Sequence, residues 1–136
     1  MAKVHLEIVT PERKVVSADV DELRAPGASG LFGVRVGHAP FITAISPGEL
    51  SYELDGQPRR YAIGGGFIEV SENSVRVLAD TAEAAEEIDL ERAQRASANA
   101  RERLKGLTEA SPEFSSELWR VRRAAVRIQV ARRAKV

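Results

Sequence analysis

The sequence predicts a two-part chain, an all-β body over residues 1–84 followed by an antiparallel α-helical hairpin over residues 85–136. Three observations carry that division. Turn-forming residues interrupt β-branched and aromatic runs about every eight to twelve positions as far as Ala79. Within the clearest of these runs, apolar and polar residues alternate with period two, as a half-buried strand requires. Beyond Asp89 the spacing of apolar residues changes to three and four, the period of a helix.

In chain order, Val4, Leu6 and Ile8 alternate with Lys3, His5 and Glu7 to give the first strand, and Thr10 to Arg13 turns at Pro11. Val15–Val16 and Val20 to Ala25 read as two more short strands. A loop punctuated by Pro26, Gly27 and Gly30 leads to an apolar strand from Leu31 to Val36. Gly37-His38-Ala39-Pro40 then turns into Phe41 to Ile45. After Pro47-Gly48, the alternation Leu50, Tyr52, Leu54 meets Asp55-Gly56, a strong hairpin signal, and Arg59 to Ile63 returns. Gly64-Gly65-Gly66 introduces Phe67 to Val70, and Glu72-Asn73-Ser74 turns into Val75 to Ala79. Short strands in this rhythm make a sandwich or a flattened barrel. The Ala/Glu-rich junction from Asp80 to Glu87 leaves the helix start open between Thr81 and Asp89.

Ala93, Ala96, Ala100, Leu104 and Leu107 share one face of the first helix. Gly106 and Thr108 break it, and Ser111 with Pro112 offers an N-cap and a first helical residue for the second. Phe114, Leu118, Val121, Ala125 and Ile128 form the second stripe, with Trp119 just beside it, either packed within the hairpin or presented to a partner. Each alanine on the first stripe offers about 0.8 kcal/mol of burial. So thin a face needs another surface and suits a dockable arm. Charge separates the same two parts: residues 1–88 hold 8 basic and 14 acidic side chains, residues 89–136 hold 12 and 6. From Leu118 onward there are seven cations and no acid, which points to an acidic partner for that end.

At 136 residues the chain has the size of one domain and an appendage. It holds no apolar run near the roughly 18 residues of a membrane span, and its start lacks the pattern of a secretory signal. Absence of cysteine rules out disulfides, thiolate zinc sites and a cysteine nucleophile, and fits a cytosolic-type compartment. His5 reads as a solvated edge histidine, and no metal spacing, nucleophile elbow or phosphate loop appears. The triple glycine feeds a strand and reads as backbone crowding or a bulge. No active site, metal or obligate cofactor is expected. A β-barrel nucleic-acid module with a basic helix is an alternative, opposed by the acidic body. A cupin-like enzyme is a second, opposed by having only two distant histidines.

The segment PGASGLFGVRVGHAPFITAISPGEL, then YAIGGGFIEVSENSVRVLAD, then IDLERAQRA and the basic tail, closely resembles the ε subunits of bacterial and chloroplast F-type ATP synthases. Three motifs in the family's order, across nearly the whole chain, make the resemblance specific. It implies a sandwich of about ten strands that binds the γ subunit and the polar loops of the c-ring, with Leu31, Phe32 and His38 at the foot. For Leu31 and Phe32 the alternative is a core position, and for His38 a purely structural turn. The resemblance further implies a mobile hairpin whose Arg120, Arg122, Arg123 and Arg127 meet the α/β catalytic head and block ATP hydrolysis. No nucleic acid is expected as a partner. The expected location is peripheral, on the cytoplasmic face of a bacterial membrane rather than a thylakoid.

Ile88-Asp89-Leu90-Glu91-Arg92-Ala93 matches the family's nucleotide motif, implying ATP as a regulatory ligand at Asp89, Arg92 and Ala93. Helix capping by Asp89 explains the same residues without a ligand. Ser97, Ala98 and Asn99 stand where ATP-binding members carry a further basic residue.

Overall fold

The computed structural model describes residues 2–134, which form two compact units that divide between Ala84 and Ala85. Ten strands build the first: β1 (Val4–Val9), β2 (Lys14–Val20), β3 (Glu22–Gly27), β4 (Gly30–Val34), β5 (Phe41–Ile45), β6 (Gly48–Leu54), β7 (Gln57–Ile63), β8 (Gly66–Ser71), β9 (Ser74–Ala79) and β10 (Ala82–Ala84). Their order is β10-β7-β6-β3-β5-β8-β9-β1-β2, with β4 paired to β3. All pairings are antiparallel except β1 with β9. The single residue pair Gly27–Ile45 joins β3 to β5. On either side of it the strands form the two layers of a sandwich.

Alternation places the core. Val4, Leu6 and Ile8 of β1 are completely buried and meet Leu23, Leu50, Ile63, Ile68, Val75 and Val77 from the other strands. Asp55 and Gly56 both take positive φ, 52° and 79°, as the two-residue hairpin turn demands.

Two expectations for the strands are corrected. Pro26 to Gly30 is a tight hairpin rather than a loop, because β3 runs through Gly27 and pairs with Gly30 across Ala28-Ser29. The following strand ends at Val34, not Val36: Val34 is its one buried residue, and the chain turns at Gly37, where the Asn73 side chain accepts the amide hydrogen bond at 2.7 Å.

The triple glycine serves close approach. Gly66 has φ +136°, and a Cβ there would collide with the Leu78 carbonyl oxygen; one at Gly64 would run into the Thr81 side chain. Gly66→Ala should therefore destabilise the fold by about 2–4 kcal/mol, since backbone must move and the φ is glycine's own. Thermal unfolding of the variant measures this, with an unchanged melting temperature as the contrary result.

The second unit begins with a 3-10 turn, Ala85–Glu87, followed by α1 (Leu90–Lys105) and α2 (Phe114–Ala134), folded back on each other as a hairpin. The helix therefore begins at Leu90 with Asp89 as its cap, and not at Thr81; β10, added to the edge of β7, takes up residues 82–84. The second helix starts at Phe114 rather than Pro112, because the Ser111 hydroxyl accepts from the Thr108 amide within the loop instead of capping. No helix among the described residues is long and apolar enough to cross a membrane.

Candidate functional site: the helical hairpin and the outer strands of the sandwich

At the start of α1, Asp89 sits in extended conformation and its Oδ1 accepts the Arg92 amide at 3.1 Å. That is an N-cap, satisfying one of the helix's orphan donors. Arg92 is exposed, while Ala93 is completely buried, so its methyl belongs to the packing of the helix.

The inward face of α1 is Ala93, Ser97 and Ala100, with Leu104 half-buried. Ala96, expected on this face, is exposed. Serine takes the position because its hydroxyl has an internal partner, Arg101 Nε at 3.2 Å. On α2 the inward register runs Phe114, Glu117, Val121, Ala124, Ile128 and Ala131, and Ala125 is exposed. Leu118 lies at the edge of that stripe, half-buried. Glu117 is the residue that apolar periodicity passes over. Its side chain is only 8% exposed and accepts from Arg103 Nε at 3.0 Å and Arg120 Nη1 at 2.7 Å.

The four arginines expected to meet a partner differ in setting. Arg122 is exposed, Arg120 is tied to Glu117, and the Arg123 guanidinium lies 5.6 Å from the Trp119 ring centroid. Arg127 is half-buried. Trp119 is thus partly exposed and carries a cation over its face, a contact worth about 0.5–1 kcal/mol at such a site. Arg103, Arg120, Arg123 and Arg127, with Asn99 and Trp119, line a cleft of about 290 Å³ between the helices. Lys135, the last of the seven cations, lies outside the described residues.

On the sandwich, Leu31 is 70% exposed at the tip of the β3–β4 hairpin, whereas Phe32 packs partly against the core. Phe32 and His38 both meet Phe41, with ring centroids at 5.2 Å and 6.1 Å. His38 Nδ1 also lies 2.7 Å from the Ala39 carbonyl. The structure therefore gathers Phe32 and His38 around a ring on β5 and leaves Leu31 pointing out alone. His5 pairs with Asp19 across β1 and β2 at 2.8 Å, partly exposed as expected.

A second outer surface was not anticipated. Ala44 stands opposite Phe67 in the β5–β8 register, and Phe67 opposite Leu78 in the β8–β9 register. Phe67 is 58% exposed, Leu78 50%, and Ile42, two residues before Ala44, 66%. Phe67 and Leu78 stand side by side on the outward face, Ile42 lies diagonally from Phe67 with Glu69 opposite it, and the three form an outward apolar stripe across three strands. A shallow cleft of about 380 Å³ opens beside Phe67 and Leu78 at Val9 and Pro11. The signal was in the sequence: Phe67 and Leu78 occupy outward positions of strands whose inward partners are Ile68 and Val77.

Three paired carboxylates and one lysine give stability a pH dependence at its acid and alkaline ends. The Arg103 hydrogen bond holds the Glu117 carboxyl below its ordinary value, the Lys14 ammonium lowers Glu7, and Lys3 lowers Asp21. Lys3 is raised in turn by Asp21 and Asp55. A depressed carboxylate contributes stability above its unfolded pKa and loses it as pH falls through the folded one. A raised lysine loses its contribution as pH climbs through its folded pKa, above about 10.5. Melting temperature should accordingly be flat between about pH 5 and pH 10 and fall on both sides. Stability that rose on acidification below pH 4 would contradict these pairs.

Residues 3–85 match the ATP synthase delta/epsilon chain beta-sandwich domain, and residues 86–132 match the long alpha-helix domain of the same chain. The chain belongs to the ATP synthase delta/epsilon family. An ATP synthase epsilon chain of Anaeromyxobacter sp. (strain Fw109-5) is 59% identical over 128 residues, covering 94% of this chain and 97% of the relative. The epsilon chain of Myxococcus xanthus is 46% identical over 135 residues, 99% of each. A chain of the Euglena gracilis mitochondrial ATP synthase shares the fold, with a TM-score of 0.81 at 23% identity over 99% of this chain and 82% of that one. Epsilon chains are non-catalytic subunits of ATP synthase.

Proposed function

We propose that this chain is the central-stalk subunit of a proton-translocating F-type ATP synthase, coupling the catalytic head to the c-ring and restraining ATP hydrolysis through its basic C-terminal helices. The apolar stripe of Ile42, Phe67 and Leu78 carries the reading. A protein surface seldom gathers exposed large apolar side chains on neighbouring strands in this way unless another protein covers them. In this proposal the stripe docks the γ subunit, and Leu31 with the Phe32–Phe41–His38 cluster faces the polar loops of the c-ring. Arg120, Arg122, Arg123 and Arg127 meet an acidic segment of the α/β head. The subunit is peripheral, held at the cytoplasmic face of the bacterial membrane through the complex; its relatives' bacterial sources support that placement.

The test is reconstitution with γ and the catalytic head, comparing the full chain with residues 1–88. Both forms should bind γ, and only the full chain should suppress ATP hydrolysis. Failure of both to bind removes the stalk assignment. Binding with equal suppression removes the switch alone.

The arginine-lined cleft, whose lining does not include Asp89, Arg92 or Ala93, supports a second reading for the hairpin, a nucleotide-sensing arm that takes ATP. Guanidinium groups suit phosphate oxygens by charge and by fork geometry. Asp89→Asn keeps a capping oxygen and loses only the carboxylate charge. If Asp89 recognises ATP, this variant should weaken ATP binding with the hairpin still folded; a capping role alone predicts no change in calorimetric titration.

A further inference from the structure

Glu117 occupies an inward position of α2, between Phe114 and Val121, where a carboxylate is stable only with cationic donors. One donor, Arg120, is on its own helix and follows it wherever α2 goes. The other, Arg103, belongs to the last turn of α1 and reaches across the hairpin at 3.0 Å. We propose that the Arg103–Glu117–Arg120 cluster is a latch at the turn end of the hairpin, setting how readily α2 separates from α1.

The physics is asymmetric. Closed, the carboxylate is shielded and doubly bonded, and Arg103 is half exposed so its charge keeps much of its hydration. Opened, Glu117 retains only the partner on its own helix and must recover water for the rest. Breaking a buried pair costs more than the pair is worth against an apolar replacement. The α1 side of the seam behind it is small and alanine-rich, so one polar cluster weighs heavily in the opening equilibrium. The latch is a property of this chain; its consequence for hydrolysis rests on reading the hairpin as the regulatory arm.

Hydrogen exchange of the full chain, followed by mass spectrometry at neutral pH, reads local opening of α2 directly. Glu117→Gln and Arg103→Gln should each speed exchange of α2 amides by about tenfold, the scale of a hydrogen bond to a charged group. Exchange in the sandwich strands should stay unchanged. The double variant should be no faster than the faster single one, because both remove the same contact. Lys105→Gln, whose ammonium reaches Glu102 on the same helix at 3.4 Å, should leave α2 exchange as it was. Arg103 is a partly exposed side chain, so its variant keeps the test decisive even if Glu117→Gln perturbs folding.

Unchanged exchange in both single variants, multiplied effects in the double one, or an equal effect from Lys105→Gln would overturn the latch. Reconstituted with the catalytic head and γ, Glu117→Gln should also change the inhibition of ATP hydrolysis several-fold. Faster exchange with unaltered inhibition would keep the latch and remove the regulatory reading. Unaltered exchange would remove the latch whatever the hydrolysis shows.

Discussion

Phe67→Glu should weaken binding of the subunit to γ by about 100- to 1,000-fold while leaving its melting temperature within a degree or two. The ring is 58% exposed and stands in register between Ala44 and Leu78, at the middle of the stripe. A central aromatic of an interface commonly contributes 2–4 kcal/mol by truncation. Glutamate goes further, since it carries an unpaired charge into an apolar contact. The fold should tolerate the change, because Phe67 points away from the core that its neighbours Ile68 and Val77 fill. Calorimetric titration against γ, paired with thermal unfolding, checks both halves. Native affinity in a normally folded variant would move the γ site elsewhere on the sandwich.

Changing Arg120, Arg122, Arg123 and Arg127 together to Gln should raise the concentration needed for half-inhibition of ATP hydrolysis by about 30- to 150-fold. Each of these charges is worth roughly 0.5–0.75 kcal/mol against an acidic partner, so the four sum to about 2–3 kcal/mol. Inhibition by the unaltered chain should weaken between about 0.05 and 0.5 M salt, as screening shortens the reach of those charges. The four-Gln variant should show a flatter salt response. Arg122→Gln alone separates partner contact from hairpin stability, because Arg120 and Arg123 also serve Glu117 and Trp119 within the hairpin. Arg122 is exposed and should account for a few-fold of the total. Equal potency of the four-Gln chain at low salt would rule out a charge-led contact with the head.

Much of this protein was legible where local chemistry leaves one choice. Strand β1 could be read because Val4, Leu6 and Ile8 alternate without exception, and the β6–β7 turn because Asp55-Gly56 accepts positive φ at both positions. The crowding role of the triple glycine followed from its lack of any phosphate-loop context, and the structure supplies the backbone atoms that do the crowding. Strand β10 was not readable. Ala82-Glu83-Ala84 has no strand pattern of its own and becomes one only by pairing with the edge of β7.

The hairpin shows the same limit at single side chains. Periodicity counts apolar residues, so it placed Ala96 and Ala125 inward and passed over Ser97 and Glu117. A polar residue can occupy an inward position when a partner satisfies it, and the partners here are Arg101 within the helix and Arg103 across the turn. The outward stripe of Ile42, Phe67 and Leu78 escaped for the converse reason. Outwardness was readable strand by strand, but adjacency depends on which strands pair and in what register.

Local pattern and motif order, then, suffice for the division into an acidic β body and a basic helical arm, the course of most strands and the family to which the chain belongs. These depend on patterns within a few residues or on motifs kept in order. Where distant residues meet follows from packing alone: Phe67 beside Leu78, Phe32 and His38 around Phe41, and Arg103 on Glu117. Such meetings are set by strand order, register and helix pairing, which a linear period does not contain.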